Sequence, residues 1–205
     1  MTDLSRLSRL PERPHRSLLA SSYDREAETG SWFGNRDSGN YVRVEGDERV
    51  MLDVTGPGVV TRIWSANPSG ELRIYVDGAS TPTFAAPMGD LLRGRVSPFG
   101  PPFGFVAARG GNLYFPIAFR EACRITVSAD RIYYHVNYRL YSDPVDIESF
   151  SRASVERALP MMLEVGEALL TPPRRPPEGA CGMSGTLSVG PGAGRSRSRP
   201  RRAAA

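Results

Sequence analysis

Residues 50–78 read VMLDVTGPGVVTRIWSANPSGELRIYVDG, and this stretch decides the fold class. It contains three short apolar runs, each ending in a cluster of Gly, Pro, Asn or Asp that is typical of a turn. In the last run Leu72, Ile74 and Val76 share one face of an extended strand, because successive side chains point to opposite sides. The stretch therefore predicts consecutive β-strands joined by tight turns.

The strand pattern continues beyond this stretch. After a region rich in Gly and Pro at 88–112, further strands are predicted at 113–119, 123–128 and 133–141. Many short strands separated by turns indicate two antiparallel sheets around one core, and a chain of 205 residues has room for one such domain. We expect an all-β fold, an antiparallel β-sandwich with jelly-roll-like topology.

The segments around the strands differ from them in character. The sequence predicts an N-terminal arm at 1–20, the sandwich at 21–147, a C-terminal helix at 148–170 and a disordered tail at 171–205. The tail, rich in Arg, Pro and Gly, has too few apolar residues to offset the entropy of ordering. The helix contains Pro160, which costs about 3 kcal/mol unless it starts a second helix. The apolar residues at helical spacing are Val155, Leu159, Met162 and Leu163.

The excess positive charge is confined to the tail. The formal net charge is +4, yet residues 171–205 hold seven arginines against one acid, which leaves residues 1–170 slightly acidic. The folded part therefore offers no electrostatic argument for a nucleic-acid partner. The run RSRSR at 195–199 resembles an RNA-binding segment in composition, but a disordered segment without function has the same composition. We expect no nucleic-acid partner.

Cysteines and histidines are too few to suggest a cofactor. Cys123 lies in an apolar strand pattern and Cys181 in the tail, so a disulfide is not expected, and His15 and His135 show no metal-ligand spacing. We therefore expect neither a metal nor another cofactor. The N-terminus lacks the apolar core of a signal peptide, and no run is long enough to span a membrane. This predicts a cytoplasmic protein without a membrane partner.

The densest group of polar residues lies in the predicted loop at 21–48. Its carboxylate, amide and guanidinium groups can hydrogen-bond a polyol from several directions, and its aromatic side chains can supply flat faces for a sugar ring. The same composition suits a loop rich in Asx-turns that satisfies its own backbone, and spacing alone favours that interpretation. The group comprises Asp24, Arg25, Trp32, Phe33, Asn35, Arg36, Asp37, Asn40 and Tyr41.

Asp24 and Asp37 are candidates for the two carboxylates that an acid/base pair needs. In retaining glycosidases such a pair lies about 5 Å apart, and a sequence does not show that separation. Each stands next to an arginine, so each can equally be an ion-paired positioning group. We therefore name no catalytic residue. The stretch GGNLYFP at 110–116 is interpreted as a loop entering a strand. His135 is interpreted as a residue on a sheet surface.

A series of short motifs runs in order through about residues 20–145. The motifs are SSYDR at 21–25, the loop at 34–40 leading to VRVEG at 42–46, DVTGPG at 53–58, TRIW at 61–64, LRIYVDG at 72–78, PMGD at 87–90, NLYFP at 112–116 and Tyr138-Arg139. No single motif is specific, but the ordered series resembles glycoside hydrolase family 172, a family of bacterial carbohydrate-active proteins.

The resemblance implies a jelly-roll sandwich that is followed, in complete members, by a second sandwich. It also implies retaining, exo-acting hydrolysis or transfer of furanosides such as α-fructofuranosyl or arabinofuranosyl groups. Members form trimer-based homo-oligomers with the active site near a subunit interface. The sugar contacts that the resemblance implies for this chain are Asp24, Arg25, Asn35, Asp37 and Asn40, with Trp32 near the family's aromatic position.

The catalytic glutamates of the family lie further along the chain, where this sequence has its arginine-rich tail and no matching Glu. We therefore expect a truncated, N-terminal member that binds a furanosyl oligosaccharide or glycoside without hydrolysing it. The alternative is a non-catalytic β-sandwich for carbohydrate binding or subunit interaction.

Overall fold

The computed structural model of the chain describes residues 10, 11, 13–26, 36–142 and 146–171. The chain divides into two units, Met1–Pro172 and Pro173–Ala205, and the described residues all belong to the first. Apart from Thr171, the tail predicted at 171–205 lies outside the described residues.

Eleven strands in the described part of the chain form two antiparallel sheets. Sheet A contains β1 (His15–Ser21), β4 (Gly58–Ser65), β7 (Gly104–Ala107), β8 (Gly110–Leu113), β9 (Ile117–Phe119) and β11 (Tyr134–Tyr141). Sheet B contains β2 (Arg43–Glu45), β3 (Glu48–Thr55), β5 (Glu71–Val76), β6 (Phe84–Pro87) and β10 (Ala122–Val127). The two helices of the described residues are α1 (Met88–Leu92) and α2 (Arg152–Leu170).

The strand order is that of a jelly roll. Sheet A runs β1-β11-β4-β8-β7, with β9 also paired to β4, and sheet B runs β2-β3-β10-β5-β6. When the short strands β2, β7 and β9 are set aside, eight strands remain. The first, eighth, third and sixth of them lie side by side in one sheet, and the second, seventh, fourth and fifth in the other, as in a jelly roll. The prediction of a jelly-roll-like β-sandwich with a C-terminal helix is confirmed.

The hydrophobic core fills the space between the two sheets. Each sheet contributes the inward side of its strands, for example Ile63 from sheet A and Ile74 and Ile125 from sheet B, all at most 1% exposed. The short helix α1 adds Leu91 and Leu92, which are fully buried. Four phenylalanines pack edge to face at one end of this core, namely Phe84, Phe99, Phe115 and Phe150.

A β-bulge in β4 changes which side chains face outward. The register between β4 and β11 shifts so that Asn137 lies opposite Arg62 while Tyr138 lies opposite Val60, which leaves Thr61 unpaired. Val60 and Ile63 are therefore both buried although they are three residues apart. A bulge inserts one extra residue and re-aims its neighbours, and here it places Arg62 on the outer face of sheet A.

The structure corrects the predicted N-terminal arm. Residues 15–20 belong to β1, which pairs with β11 from His15 opposite Tyr141 to Ser21 opposite His135. β1 is the edge strand of sheet A. An edge strand needs few apolar residues, because main-chain pairing holds it, so its sequence looks like a polar connection. The arm residues 1–9 lie outside the described residues.

Two further predictions of strands need correction. The strand predicted at 113–119 is two strands, β8 and β9, which pair with different parts of β4 and are separated by Pro116, a residue that cannot donate to a ladder. The predicted loop at 21–48 contains β2, and the interruption at 88–112 contains α1, β7 and most of β8.

Helix α2 runs without a break through Pro160. It begins with a capping box, in which the Ser151 hydroxyl accepts from the Ser154 N–H at 3.1 Å and the Ser151 N–H donates to the Ser154 hydroxyl at 2.8 Å. Of the apolar residues at helical spacing, Val155 and Met162 are buried, while Leu159 and Leu163 are exposed. The predicted apolar face therefore packs against the sandwich only in part.

Asp77 connects three parts of the fold. Its carboxylate accepts the backbone N–H groups of Arg120, Glu121 and Ala122 at 3.0, 2.7 and 3.2 Å, and the hydroxyl of Ser149 donates to its other oxygen. Burial by itself raises the pKa of Asp77, but the hydrogen bonds from Ser149 and the three N–H groups outweigh it and hold the pKa below its ordinary value.

Replacing Asp77 with Ala will destabilise the fold by about 2–3 kcal/mol, because three N–H groups and a hydroxyl lose a charged acceptor. Since the folded-state pKa is lowered, this contribution is present at about pH 7 and is lost as the pH falls through that pKa. Urea denaturation at about pH 7 and about pH 3 measures both effects. Asp90→Ala is the control, because its exposed carboxylate contacts Arg95 at 3.4 Å. Equal losses for the two variants would contradict the assignment.

Candidate functional site

Ser22 joins the predicted sugar loop to sheet A through hydrogen bonds. Its hydroxyl is buried, accepts the backbone N–H of Tyr134 at 3.0 Å and donates to Asp37 Oδ1 at 2.6 Å. The same Asp37 oxygen accepts the Ser38 N–H at 2.7 Å. Asp37, one of the two candidate carboxylates, is therefore hydrogen-bonded by the loop's own groups at the point where β11 begins.

Asn40 closes the same segment from the other side. Its side-chain amide donates to the carbonyls of Ser22 at 3.0 Å and Arg36 at 2.8 Å. The backbone between these contacts is strained, with φ of 40° at Arg36, 98° at Ser38 and 73° at Gly39. Residues other than glycine in this region persist only where surrounding contacts hold them, and such strain is concentrated at functional sites.

Tyr41 ends the loop against the core. Its ring stacks on that of Tyr134, with centroids 5.7 Å apart and planes 10° apart, and its hydroxyl donates to the Ala129 carbonyl at 2.6 Å. Burial is the main cause that raises the pKa of Tyr41 to about 12. The phenol stays neutral at physiological pH and acts as a hydrogen-bond donor that positions the loop.

Asp24 and Arg25 lie at the rim of the loop. Asp24 Oδ1 accepts the Glu26 N–H at 3.0 Å, which is an Asx-turn. The Arg25 guanidinium donates to the carbonyls of Ser21 at 3.2 Å and Tyr41 at 3.4 Å. It also lies 4.9 Å from the ring centroid of Tyr23, whose side chain is half exposed. This rim presents charged groups and a flat aromatic face to solvent.

The structure brings four of the six predicted sugar-contact residues to one end of sheet A. Asp37 and Asn40 share Ser22 as a partner, Arg25 contacts the backbone on either side of them, and Asp24 is held by its own turn. The predicted Asx-turn interpretation describes these contacts well. A sugar contact stays a prediction for all four. Trp32 and Asn35 lie outside the described residues.

A second group of polar and aromatic side chains adjoins the loop on the outer face of sheet A. Register places His135, Trp64, Asn112 and Phe105 in one row across β11, β4, β8 and β7. The His135 and Trp64 rings lie 4.7 Å apart. Because Ser21 pairs with His135, this row begins where the loop begins.

Arg62 lies in the middle of this outer face. Its guanidinium is 5.8 Å from the Trp64 ring and 5.6 Å from the Tyr114 ring. It donates to Asn112 Oδ1 through Nη2 at 3.0 Å and Nε at 3.3 Å, and to Asn137 Oδ1 through Nη1 at 3.5 Å. Two amide oxygens and two aromatic rings therefore fix the position of the guanidinium. We call these five residues the Arg62 platform.

Gly110 is needed for this platform because of a close approach. A Cβ atom there would lie 2.0 Å from the indole Nε1 of Trp64, so any larger residue would displace the ring. The Gly110 carbonyl also accepts from the side-chain amide of Asn112 at 3.1 Å. This hydrogen bond orients the Asn112 oxygen toward Arg62.

The platform is not evident from the sequence, because a bulge changes which residues of β4 share a face. Strict alternation along β4 gives Val60, Arg62 and Trp64 one face and separates them from Ile63, whereas the bulge buries Val60 and Ile63 together. A usable signal was present, because an arginine in an otherwise β-branched run is out of place on a buried face. The stretch at 110–116 is interpreted from the sequence as a loop entering a strand, and its Asn112 and Tyr114 contribute to this outer surface. His135 lies on the sheet surface, as the sequence predicts.

Burial lowers the pKa of His135, the neighbouring Arg62 lowers it further, and Asp37 opposes them. His135 is therefore neutral at physiological pH. Within the described residues, no group of three or more His, Cys, Asp or Glu side chains is placed to hold a metal ion. Neither helix in that part of the chain has the length and apolar character to cross a membrane.

The strand order and the polar loop define the chain as a jelly-roll β-sandwich domain. The family model described as GH172 first beta-sandwich domain matches residues 14–158. This match covers more than half of the chain, which therefore belongs to glycoside hydrolase family 172. Comparison with curated proteins finds no significant match.

Replacing Arg62 with Gln will raise the pKa of His135, because a positive charge beside the imidazole disfavours its protonation. Burial keeps the pKa below its ordinary value in the variant as well. An NMR titration of the His135 ring protons measures the change. Arg124→Gln, on the opposite sheet, is the matched control and will leave the His135 titration unmoved. An unchanged pKa in the Arg62 variant would contradict the geometry of the platform.

Proposed function

We propose that this domain binds a furanosyl sugar with the loop at 21–41 and does not itself hydrolyse it. The observation that supports this proposal most directly is membership of family 172 over residues 14–158, a span that includes the whole loop. The furanosyl class of ligand is what the family implies. The proposed contacts are Asp24, Arg25, Trp32, Asn35, Asp37 and Asn40.

The rim of the loop offers the chemistry that a sugar requires. Sugar hydroxyls donate to carboxylates and accept from guanidinium groups, and Arg25 has further N–H groups beyond the two that bond to carbonyls. Within the described residues, one Asp24 oxygen takes the Glu26 N–H and no hydrogen bond involves the other. The half-exposed ring of Tyr23 supplies an apolar face.

The contacts of the loop carboxylates favour binding over catalysis. Asp37 is held by Ser22 and Ser38, and Asp24 caps its own turn, so neither is positioned by the other. A retaining glycosidase needs two carboxyl groups that face each other across the scissile bond. The loop therefore serves to hold the sugar.

A second proposed role is subunit interaction, which α2 favours. Met161, Leu163 and Leu170 are 68%, 74% and 66% exposed, an unusual density of large apolar side chains on one helix. The family implies trimer-based homo-oligomers, and sedimentation of the chain would show whether it assembles.

Replacing Arg25 with Ala will weaken binding of an arabinofuranosyl oligosaccharide about tenfold, the effect of losing a charged hydrogen bond of about 1.4 kcal/mol. Titration calorimetry measures the affinity. Arg152→Ala is the control, because Arg152 lies on an exposed turn of α2 and contacts only Glu156 in the described residues. The absence of heat with the folded wild-type chain would count against a furanosyl ligand.

The chain will release no p-nitrophenol from p-nitrophenyl α-arabinofuranoside above the rate in buffer, because Asp24 and Asp37 are each held by groups of their own loop rather than paired across a scissile bond. Absorbance of the product measures the rate. Turnover that Asp24→Ala abolishes would overturn the non-catalytic part of the proposal and leave the binding part intact.

A further inference from the structure

The two sheets differ sharply in charge. The strands of sheet B carry four arginines and four acids, which are Arg43, Arg49, Arg73, Arg124, Glu45, Glu48, Asp53 and Glu71. The strands of sheet A carry three arginines and no Asp or Glu, and these arginines are Arg16, Arg62 and Arg139. Sheet A therefore has a surface whose positive charge its own strands do not balance.

On sheet B the charges neutralise one another. Arg43 pairs with Asp53 at 2.5 Å, and Arg124 pairs with Glu45 at 3.0 Å. A third arginine of this sheet, Arg73, contacts three carboxylates, those of Asp47, Glu48 and Glu71. Arg49 pairs with Asp130 at 2.5 Å, so every arginine on the strands of sheet B has a carboxylate partner.

Arg62 on sheet A is arranged differently. Among the described residues, no carboxylate lies within salt-bridge distance of Arg62 or Arg139. The amide oxygens of Asn112 and Asn137 orient the Arg62 guanidinium without neutralising it. The described residues accept three of its five N–H groups, so two have no acceptor among those residues and can bind a ligand. The negative charge of Asp37 raises the pKa of the adjacent His135, and its carboxylate accepts a hydrogen bond from the Ser22 hydroxyl.

The surroundings of Arg62 suit a sugar ring. Tyr114 is 38% exposed and stacks on Phe105, with centroids 5.8 Å apart and planes 17° apart. A fixed aromatic ring beside a fixed guanidinium offers one apolar face and one cation to the same ligand. A shallow groove of about 280 Å³ extends the surface from Asn137 along the sheet. Its outward-facing lining includes Ser17, Leu19, Thr61 and Arg139.

We infer that the outer face of sheet A binds an acidic oligosaccharide, with a uronate carboxylate on Arg62 and a sugar ring against Tyr114. A guanidinium pairs with a carboxylate through two parallel hydrogen bonds, which gives direction as well as attraction. The groove accommodates the next sugar units, with Asn137 and Arg139 as their polar contacts. This ligand and surface go beyond the furanosyl loop, because the loop proposal requires neither a charged sugar nor the platform.

Titration calorimetry of the full chain with trigalacturonate tests the inference. The methyl-esterified trisaccharide, which carries no charge, is the control ligand. We expect the ester to bind at least about tenfold more weakly than the acid, and Arg62→Gln to lose at least about tenfold in affinity for the acid. Arg124→Gln removes one arginine from the other face and will keep the affinity within about twofold. The arginines of residues 172–205 are present in all variants, so they do not contribute to the differences in affinity between variants.

Equal affinities of the wild type and Arg62→Gln, equal affinities for acid and ester, or no binding of the acid by the wild type would each overturn the inference. Binding of single-stranded RNA or inorganic phosphate through Arg62 as tightly as the acid would also overturn it, because the site would then be a general anion site.

A readout in the wild type alone covers the case in which Arg62→Gln does not fold. The His135 ring resonances will shift when trigalacturonate is added and stay in place when the ester is added; the absence of a shift with the acid would overturn the inference. A failure here leaves the loop proposal untouched, because that proposal is tested with a neutral furanosyl ligand and the Arg25 variant.

Discussion

Tyr134 is the residue that ties the two sheets and the loop into one structure. Its side chain is fully buried, and its hydroxyl faces the carbonyls of Met51 in sheet B at 3.4 Å and Asn40 in the loop at 3.2 Å. Its ring stacks on Tyr41, and its N–H donates to Ser22. A buried polar group without a partner costs about 1–3 kcal/mol, so a shift of either sheet or of the loop against the other would be penalised here.

This tie also explains why the candidate sugar loop and the Arg62 platform lie side by side. Ser22 accepts a hydrogen bond from the Tyr134 N–H at the start of β11, and the next residue of that strand, His135, lies against Trp64 of the platform. The jelly-roll order then places β4 between β11 and β8, which brings Arg62 and Asn112 together from distant parts of the chain. One strand, β11, therefore positions both the furanosyl loop proposed above and the surface inferred for an acidic ligand.

The fold was predictable where the local pattern and the tertiary environment agree. The predicted bounds of β10 and β11 are correct to within one residue, and β3, β4 and β5 correspond to the three apolar runs predicted in residues 50–78. Each of these strands buries one side in the core, and the spacing of its apolar residues reveals that side. β1 was missed, because pairing along an edge demands little of its side chains. The break between β8 and β9 was missed too, because both strands pair with β4 and only the pairing shows that they are separate. Helical spacing of apolar residues predicted α2. It did not predict that Leu159 and Leu163 are exposed, because spacing does not show how much of the apolar face packs against the sandwich.

The amino-acid sequence by itself determined that this is an antiparallel β-sandwich of family 172 and which loop holds the dense polar groups, since these properties follow from residue types along short stretches. Tertiary structure alone decided what those groups contact. Asp37 and Asn40 are joined through Ser22, and Arg62 meets its amide partners across strands fifty and seventy-five residues away. The bulge that turns Arg62 outward exists only in the pairing of β4 with β11. Hydrogen bonds and charges act over a few ångströms in space, and distance along the chain does not reveal them.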